Sequence, residues 1–333
     1  MLNKRKIKEI IKEAEKIYKK HFKPLTWFER AIFFSWYCSI ADCKFCYMST
    51  KKGKVSKLAR RRIESMLAEL LICKLQQWQL GFISGGHNVF RLFEFKKILQ
   101  ALSSIAQERL WINIGALTKK ELEEFRPYLK GVVASIETLN KKIHRFVCPS
   151  KPITPFKQML KSAAELGIKR AMTIIIGLGE TEDDFALLKD FIHEHDITKI
   201  HIYALNPQKG TIFENKPSPN PLYHAWWIAK TRIAFPKIDI QAGIWLDKVT
   251  NVALLLKAGA NSLSKFPAIR YFNSQQAKEI EYQAKLAGRK FLGSLTRINK
   301  NKLKEYASIA EQLRIMKWFS KYMSRLTRSH AIQ

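Results

Sequence analysis

The strongest constraint on the fold is an alternation, repeated eight times, of apolar strand-like runs with amphipathic helical stretches. The strand-like runs lie at 31–37, 81–84, 110–116, 131–137, 170–177, 199–205, 238–244 and 260–265. Helical patterns follow them at 54–80, 91–107, 119–129, 155–166, 182–194, 223–234, 249–258 and 274–287. Strands joined through helices must run parallel, because the crossover returns each chain segment to the same end of the sheet. The class is therefore α/β. Eight such units in 333 residues of 47% hydrophobic content predict a TIM-type (β/α)8 barrel. A partial (β/α)6 barrel with its last two units splayed is the runner-up. The expected organisation is an amphipathic helix over 1–24, the barrel over 25–287 and a basic helical tail over 288–333.

The five cysteines suit a reducing compartment, and the expected location is the cytoplasm, since Cys73 and Cys148 stand apart with no disulfide framework. The amino terminus is too charged for a signal peptide, and no apolar run approaches the roughly 20 residues that span a bilayer. No membrane partner is expected. With 59 basic against 28 acidic residues the net charge is +31, a field that favours nucleic acid or an acidic protein surface. The basic residues are dispersed and define no footprint, so source and solubility account for them equally well.

Cys38, Cys43 and Cys46 gather on one loop at the end of the first strand-like run. A zinc site would want a fourth Cys or His nearby, and the next cysteine, Cys73, lies inside a helical pattern. Three thiolates suit a four-iron cluster with one iron left open for a ligand. Burial as small hydrophobes is the plainer alternative, but Asp42 and Lys44 lie between these cysteines. In a barrel, ligands bind at the carboxyl ends of strands, which selects Gly85, Gly86, His87, Glu137, Thr138, Gly177, Glu180 and Asn206 as further candidates. The paired glycines let backbone approach a ligand closely, and Glu137 can accept hydrogen bonds from a ribose diol or cap the next helix.

The cysteine loop resembles that of the radical S-adenosylmethionine superfamily, C-x3-C-x2-C with an aromatic residue before the last cysteine. Here the aromatic residue is Phe45 and the first spacing is C-x4-C. Gly85-Gly86 is similar to the superfamily's amino-group motif, with His87 where an acidic residue is usual. Thr173-x-Ile175-x-Gly177-x-x-Glu180 is similar to its adenine-side motif, and Ser135-Ile136-Glu137-Thr138 to the ribose-contacting strand of the biotin synthase and lipoyl synthase-like group. The resemblance implies a [4Fe–4S] cluster on Cys38, Cys43 and Cys46, and S-adenosylmethionine held by Gly85, Gly86, Glu137, Ile175, Gly177 and Asn206. Reductive cleavage to methionine and a 5′-deoxyadenosyl radical would then serve hydrogen abstraction in cofactor biosynthesis or maturation.

An electron donor such as ferredoxin or flavodoxin is implied. Too few cysteines remain for a second cluster. A sulfur-inserting role would need a second radical S-adenosylmethionine subunit, as in two-protein lipoyl synthases, with an acidic carrier protein as substrate. A radical enzyme acting on tRNA and a non-catalytic iron–sulfur module are the alternatives. Cys148, flanked by Arg145 and Lys151, is a candidate catalytic residue: a substrate contact, a hydrogen-atom donor or a ligand to a partner's cluster. An inert packed thiol is the competing reading.

Overall fold

The computed structural model describes residues 3–328. Its strands are β1 (Leu25–Phe33), β2 (Gln79–Ser84), β3 (Leu110–Asn113), β4 (Leu129–Glu137), β5 (Lys169–Ile176), β6 (Lys199–Ala204), β7 (Asp239–Gly243), β8 (Ser262–Ser264) and β9 (Lys290–Leu292). They pair in the order β2-β3-β4-β5-β6-β7-β8-β1-β9, and a further β1–β2 pairing closes the first eight into a barrel. Every strand pairing is parallel. The fold is thus the α/β TIM-type (β/α)8 barrel.

The helices are α1 (Lys4–His21), α2 (Ile63–Gln76), α3 (Leu92–Ala106), α4 (Lys119–Phe125), α5 (Lys141–Val147), α6 (Thr154–Glu165), α7 (Phe185–Glu194), α8 (Pro221–Ala234), α9 (Val252–Lys257), α10 (Gln275–Leu286), α11 (Lys300–Gln312) and α12 (Met316–Thr327). Outward strand residues such as Phe28, Ile32, Ile200 and Ile202 pack with the inner faces of the helices in one continuous core. In α1, Ile7, Ile11, Ala14 and Tyr18 form the buried stripe, and Tyr18 Oη donates to Leu25 O at 3.0 Å. Among the described residues no helix is long and apolar enough to cross a membrane.

Four local features differ from the sequence reading. The first strand is Leu25–Phe33 rather than 31–37, because the chain from Phe34 onward leaves the sheet. Phe34 N still donates to Ser84 O, but Ser35 makes an antiparallel bridge with Arg60. The 54–80 helix is Ile63–Gln76. Residues 54–62 are turns and irregular chain tied back to Phe34 and Ser35, and Gln77 ends the helix at φ +57. A short helix, α5, follows β4, with Asn140 Oδ1 accepting from the N–H groups of Lys142 and Ile143. The 288–333 tail is not wholly helical, since β9 adds to β1 through Leu25, Thr26 and Trp27.

The barrel interior is polar at its floor. Inward positions of β1, β6, β7 and β8 place Glu29, Lys199, Gln241 and Ser262 together. Glu29 accepts from Lys199 Nζ at 2.7 and 2.9 Å, from Ser262 Oγ at 2.7 Å and from Gln241 Nε2 at 2.5 Å. Lys199 also donates to Asp239 at 2.9 Å.

Candidate active site

The cysteine loop leaves β1 and is tied down on two sides. Ser35 begins it, with its hydroxyl donating to Ala59 O and accepting from Tyr37 N. On one side the turn after β2 grips it: Ser39 N donates to His87 O at 3.1 Å, Ser39 Oγ meets His87 Nδ1 at 2.9 Å, and His87 N donates to Cys38 Sγ at 3.4 Å. The residue that departs from the family pattern, His87, is therefore a clamp on the loop. On the other side, Lys44 N donates to Val147 O at 2.8 Å and the Lys44 ammonium lies over the Phe146 ring.

Close packing explains the two glycines. A Cβ on Gly86 would sit 1.6 Å from Tyr37 O and 2.7 Å from Cys38 Cα, and one on Gly85 would sit 2.2 Å from the Phe34 ring. No side chain fits between this turn and the cysteine loop. The extra residue of the C-x4-C spacing coincides with a left-handed backbone at Ala41, φ +40. Next to it, Asp42 Oδ1 is buried and finds no hydrogen-bond partner among the described residues.

The three loop cysteines are half-buried and unbridged. Among the described residues, no three Cys, His, Asp or Glu side chains converge to hold a single metal ion. The donor set fits a polynuclear cluster instead, in which separate irons take separate thiolates. A backbone N–H already aimed at Cys38 sulfur is the kind of contact that stabilises a ligating thiolate. A hydrogen bond from Cys148 lowers the Cys43 thiol against the opposing effect of burial, with Lys151 adding its charge. Burial pushes the Cys46 thiol up to about 11, so metal coordination would have to displace its proton.

Cys148 ends α5 and is only 1% exposed, packed with Val147, Leu178, Leu205 and Phe213. The hydrogen bond with Cys43 and burial together push the Cys148 thiol well up, Arg145 is exposed, and Lys151 is committed to Glu137 at 2.6 Å. Burial works against the Lys151 charge, and the Glu137 carboxylate overrides it.

Glu137 ends β4 in a left-handed conformation, φ +65, which costs a non-glycine residue about 1–2 kcal/mol. Strain of this kind persists where the surroundings hold a side chain in place. Its Oε1 takes the Lys151 bond, and among the described residues no donor reaches Oε2. After β5, Glu180 accepts from Gly177 N at 2.6 Å and Leu178 N at 2.9 Å, so its carboxylate shapes the turn. A Cβ on Gly177, at φ +104, would meet Pro219 Cγ at 2.3 Å.

Ile175 and Asn206 lie elsewhere in the mouth, on the lining of a cavity of about 540 Å³ inside the barrel. Phe45 and Cys46 form one wall of it, and Glu29 and Gln241 reach it from the floor. Cys38, Cys43, Gly85, Gly86, Glu137, Gly177 and Cys148 stand outside that lining. The sequence reading missed Tyr203, Trp245 and Lys265. Lys265 Nζ lies 4.3 Å from the Tyr203 ring centroid and 5.9 Å from that of Trp245. Among the described residues no carboxylate forms an ion pair with Lys265, and burial holds its pKa below the usual lysine value. One sequence signal pointed here: Lys199, His201 and Tyr203 alternate along an otherwise apolar strand, which puts polar groups on its inward face. The chamber can exclude water and offers aromatic walls with one ammonium beside the cysteine loop.

The profile of the radical SAM superfamily matches residues 34–192. An uncharacterized protein of Methanocaldococcus jannaschii is 39% identical over 94% of this chain and 89% of its own length. The biotin synthase of Thermotoga neapolitana is 24% identical over 69% of this chain and 80% of its own. The crystal structure of methylornithine synthase superposes with a TM-score of 0.72 at 19% identity, covering 87% of this chain and 90% of that one, which is a likeness of fold. The chain belongs to the radical SAM superfamily, in its biotin synthase-like group, whose members work with a [4Fe–4S] cluster and S-adenosylmethionine.

Proposed function

We propose that this enzyme generates a 5′-deoxyadenosyl radical and uses it to abstract hydrogen from a small molecule in the barrel cavity, in the biosynthesis or maturation of a cofactor. The observation that carries the reading is the junction of the cysteine loop with the chamber: Phe45 and Cys46 are wall residues of the cavity that Ile175 and Asn206 also line. The bound cluster and S-adenosylmethionine supply the reductive cleavage that makes the radical. Cys38, Cys43 and Cys46 hold the cluster. Gly85 and Gly86 bring backbone close to the amino group of S-adenosylmethionine, Glu137 receives the ribose, and Ile175, Gly177 and Asn206 flank the adenosyl portion.

The remaining residues position the substrate and keep water out. Phe33, Phe82, Tyr203, Trp245 and Phe266 wall the chamber, and Lys265 presents its ammonium to an anionic group there. Cys148, against Cys43, serves the second half of the loop. A ferredoxin- or flavodoxin-type donor supplies the electron.

Anaerobic reconstitution with iron and sulfide, reduction with dithionite and addition of S-adenosylmethionine test the proposal. 5′-Deoxyadenosine and methionine are expected in equal amounts. A reconstituted, reduced protein that makes neither would refute it.

A further inference from the structure

We infer that a second cavity, on the outer side of β1, binds a phosphoryl group carried by the substrate. The cavity measures about 350 Å³ and lies between β1, α2, α12 and the segment after β8. Arg30, Ala31, Phe33, Trp36 and Pro267 line both it and the reaction chamber, so these residues form a wall common to the two spaces. The inference rests on the reading of the barrel cavity as that chamber.

Charge defines what the outer space would accept. Arg30, Arg61, Arg270, Lys321 and Arg325 line it against a single carboxylate, Glu69. That carboxylate is already taken, by Arg30 at 2.8 Å and Arg61 at 2.7 Å. Among the described residues no carboxylate pairs with Arg270, Lys321 or Arg325. Each of these three side chains lies over an aromatic neighbour, Tyr271, Trp318 and Tyr322 respectively, which limits its freedom before any ligand arrives. The wall behind them is firm: Arg61 Nη2 donates to Tyr322 Oη at 2.8 Å and Ser65 Oγ meets the same hydroxyl at 3.1 Å, fastening α12 to α2.

Several cations around one pocket suit a multiply charged oxyanion, and guanidinium forks match phosphate geometry. A carboxylate would leave most of this charge unanswered. Arg270, Lys321 and Arg325 are exposed at the rim, but they gather around one space that shares a wall with the chamber rather than running along the surface as a polynucleotide would need, which favours an anion carried by a small molecule.

The test is calorimetric titration of inorganic pyrophosphate into the anaerobically reconstituted protein at low salt. Saturable binding is expected, weakened about tenfold or more in Lys321→Ala/Arg325→Ala, the loss due when charge-assisted contacts are removed. Lys12→Ala/Lys16→Ala, which removes the same charge from the exposed face of α1, should bind as the parent does. Absence of saturable binding, or equal weakening in both double variants, overturns the inference. So does tighter binding of a short single-stranded RNA that loses the same factor in Lys321→Ala/Arg325→Ala, because the surface would then serve a polynucleotide. Formation of 5′-deoxyadenosine in the same preparation separates the two readings. Its presence without pyrophosphate binding removes the outer site alone, and its absence with binding intact supports the anion site and removes the chamber's assigned reaction.

Discussion

The floor and the mouth of this barrel are both polar, yet they are built on opposite terms. At the floor, Glu29 is met by Lys199, Gln241, Ser262 and the Trp27 indole, and Lys199 by Asp239 as well. Burial alone would raise the Glu29 pKa, but Lys199 overrides it and holds the carboxyl below its ordinary 4.5. Regular strands supply all these groups. At the mouth the side chains sit on loops or in left-handed conformations at Ala41, Glu137 and Lys265. Among the described residues Asp42 Oδ1 lacks a hydrogen-bond partner there, and the Lys265 ammonium lies over the Tyr203 and Trp245 rings with no ion pair, the Glu137 carboxylate acting on it from longer range. Groups that answer each other inside the protein stabilise it, and groups left unanswered are available to a ligand.

The sharpest break in this contrast is at the cysteines. Cys38→Ala should abolish cluster assembly, losing about a whole cluster's worth of iron on anaerobic reconstitution, while the melting temperature of the apo-protein stays near the parent's. Iron analysis checks this, and a full complement in the variant would remove Cys38 from the ligand set.

The floor should respond in the opposite sense. Glu29→Gln leaves Lys199 buried with half its partners, at a cost of about 3–5 kcal/mol by denaturant unfolding, with iron content per folded molecule unchanged. Because the folded carboxyl lies below 4.5, its contribution is complete above that pH and is lost as pH falls through the folded value. The stability gap between parent and Glu29→Gln should therefore narrow only below about pH 4.5. A gap that stays constant through the acid range would mean the pair is not a charged one.

A smaller effect is expected at Glu137. Glu137→Gln should keep its iron and weaken S-adenosylmethionine binding by about 1–3 kcal/mol in equilibrium dialysis. Affinity equal to the parent's would take Glu137 out of the cofactor site. The smallest effect is due at Cys148. Cys148→Ala should reconstitute fully and lose about 1 kcal/mol of stability with the packing of its buried sulfur against Cys43. A drop in iron would show that Cys148 does more than support the loop.

The repeating pattern by itself determined the barrel, because period-2 and period-3.6 hydrophobicity are local properties and eight parallel units of this length close on themselves. It also determined the cysteine loop and the glycine turn, whose chemistry resides in adjacent residues. Short elements escaped it. β9 exists only because the exposed edge of β1 accepts it, and α5 depends on the Asn140 cap and its docking under the cysteine loop. Side-chain meetings across distant strands were equally out of reach. Glu29 and Lys199 are 170 residues apart and Arg61 and Tyr322 are 261 apart. Nothing local marks Lys265 as a chamber residue or Lys151 as the partner of Glu137. Those pairings follow from strand register, which sets the contacts across the barrel, and from loop closure, which folds the segment after β4 back so that Lys151 meets Glu137; only the folded barrel decides either.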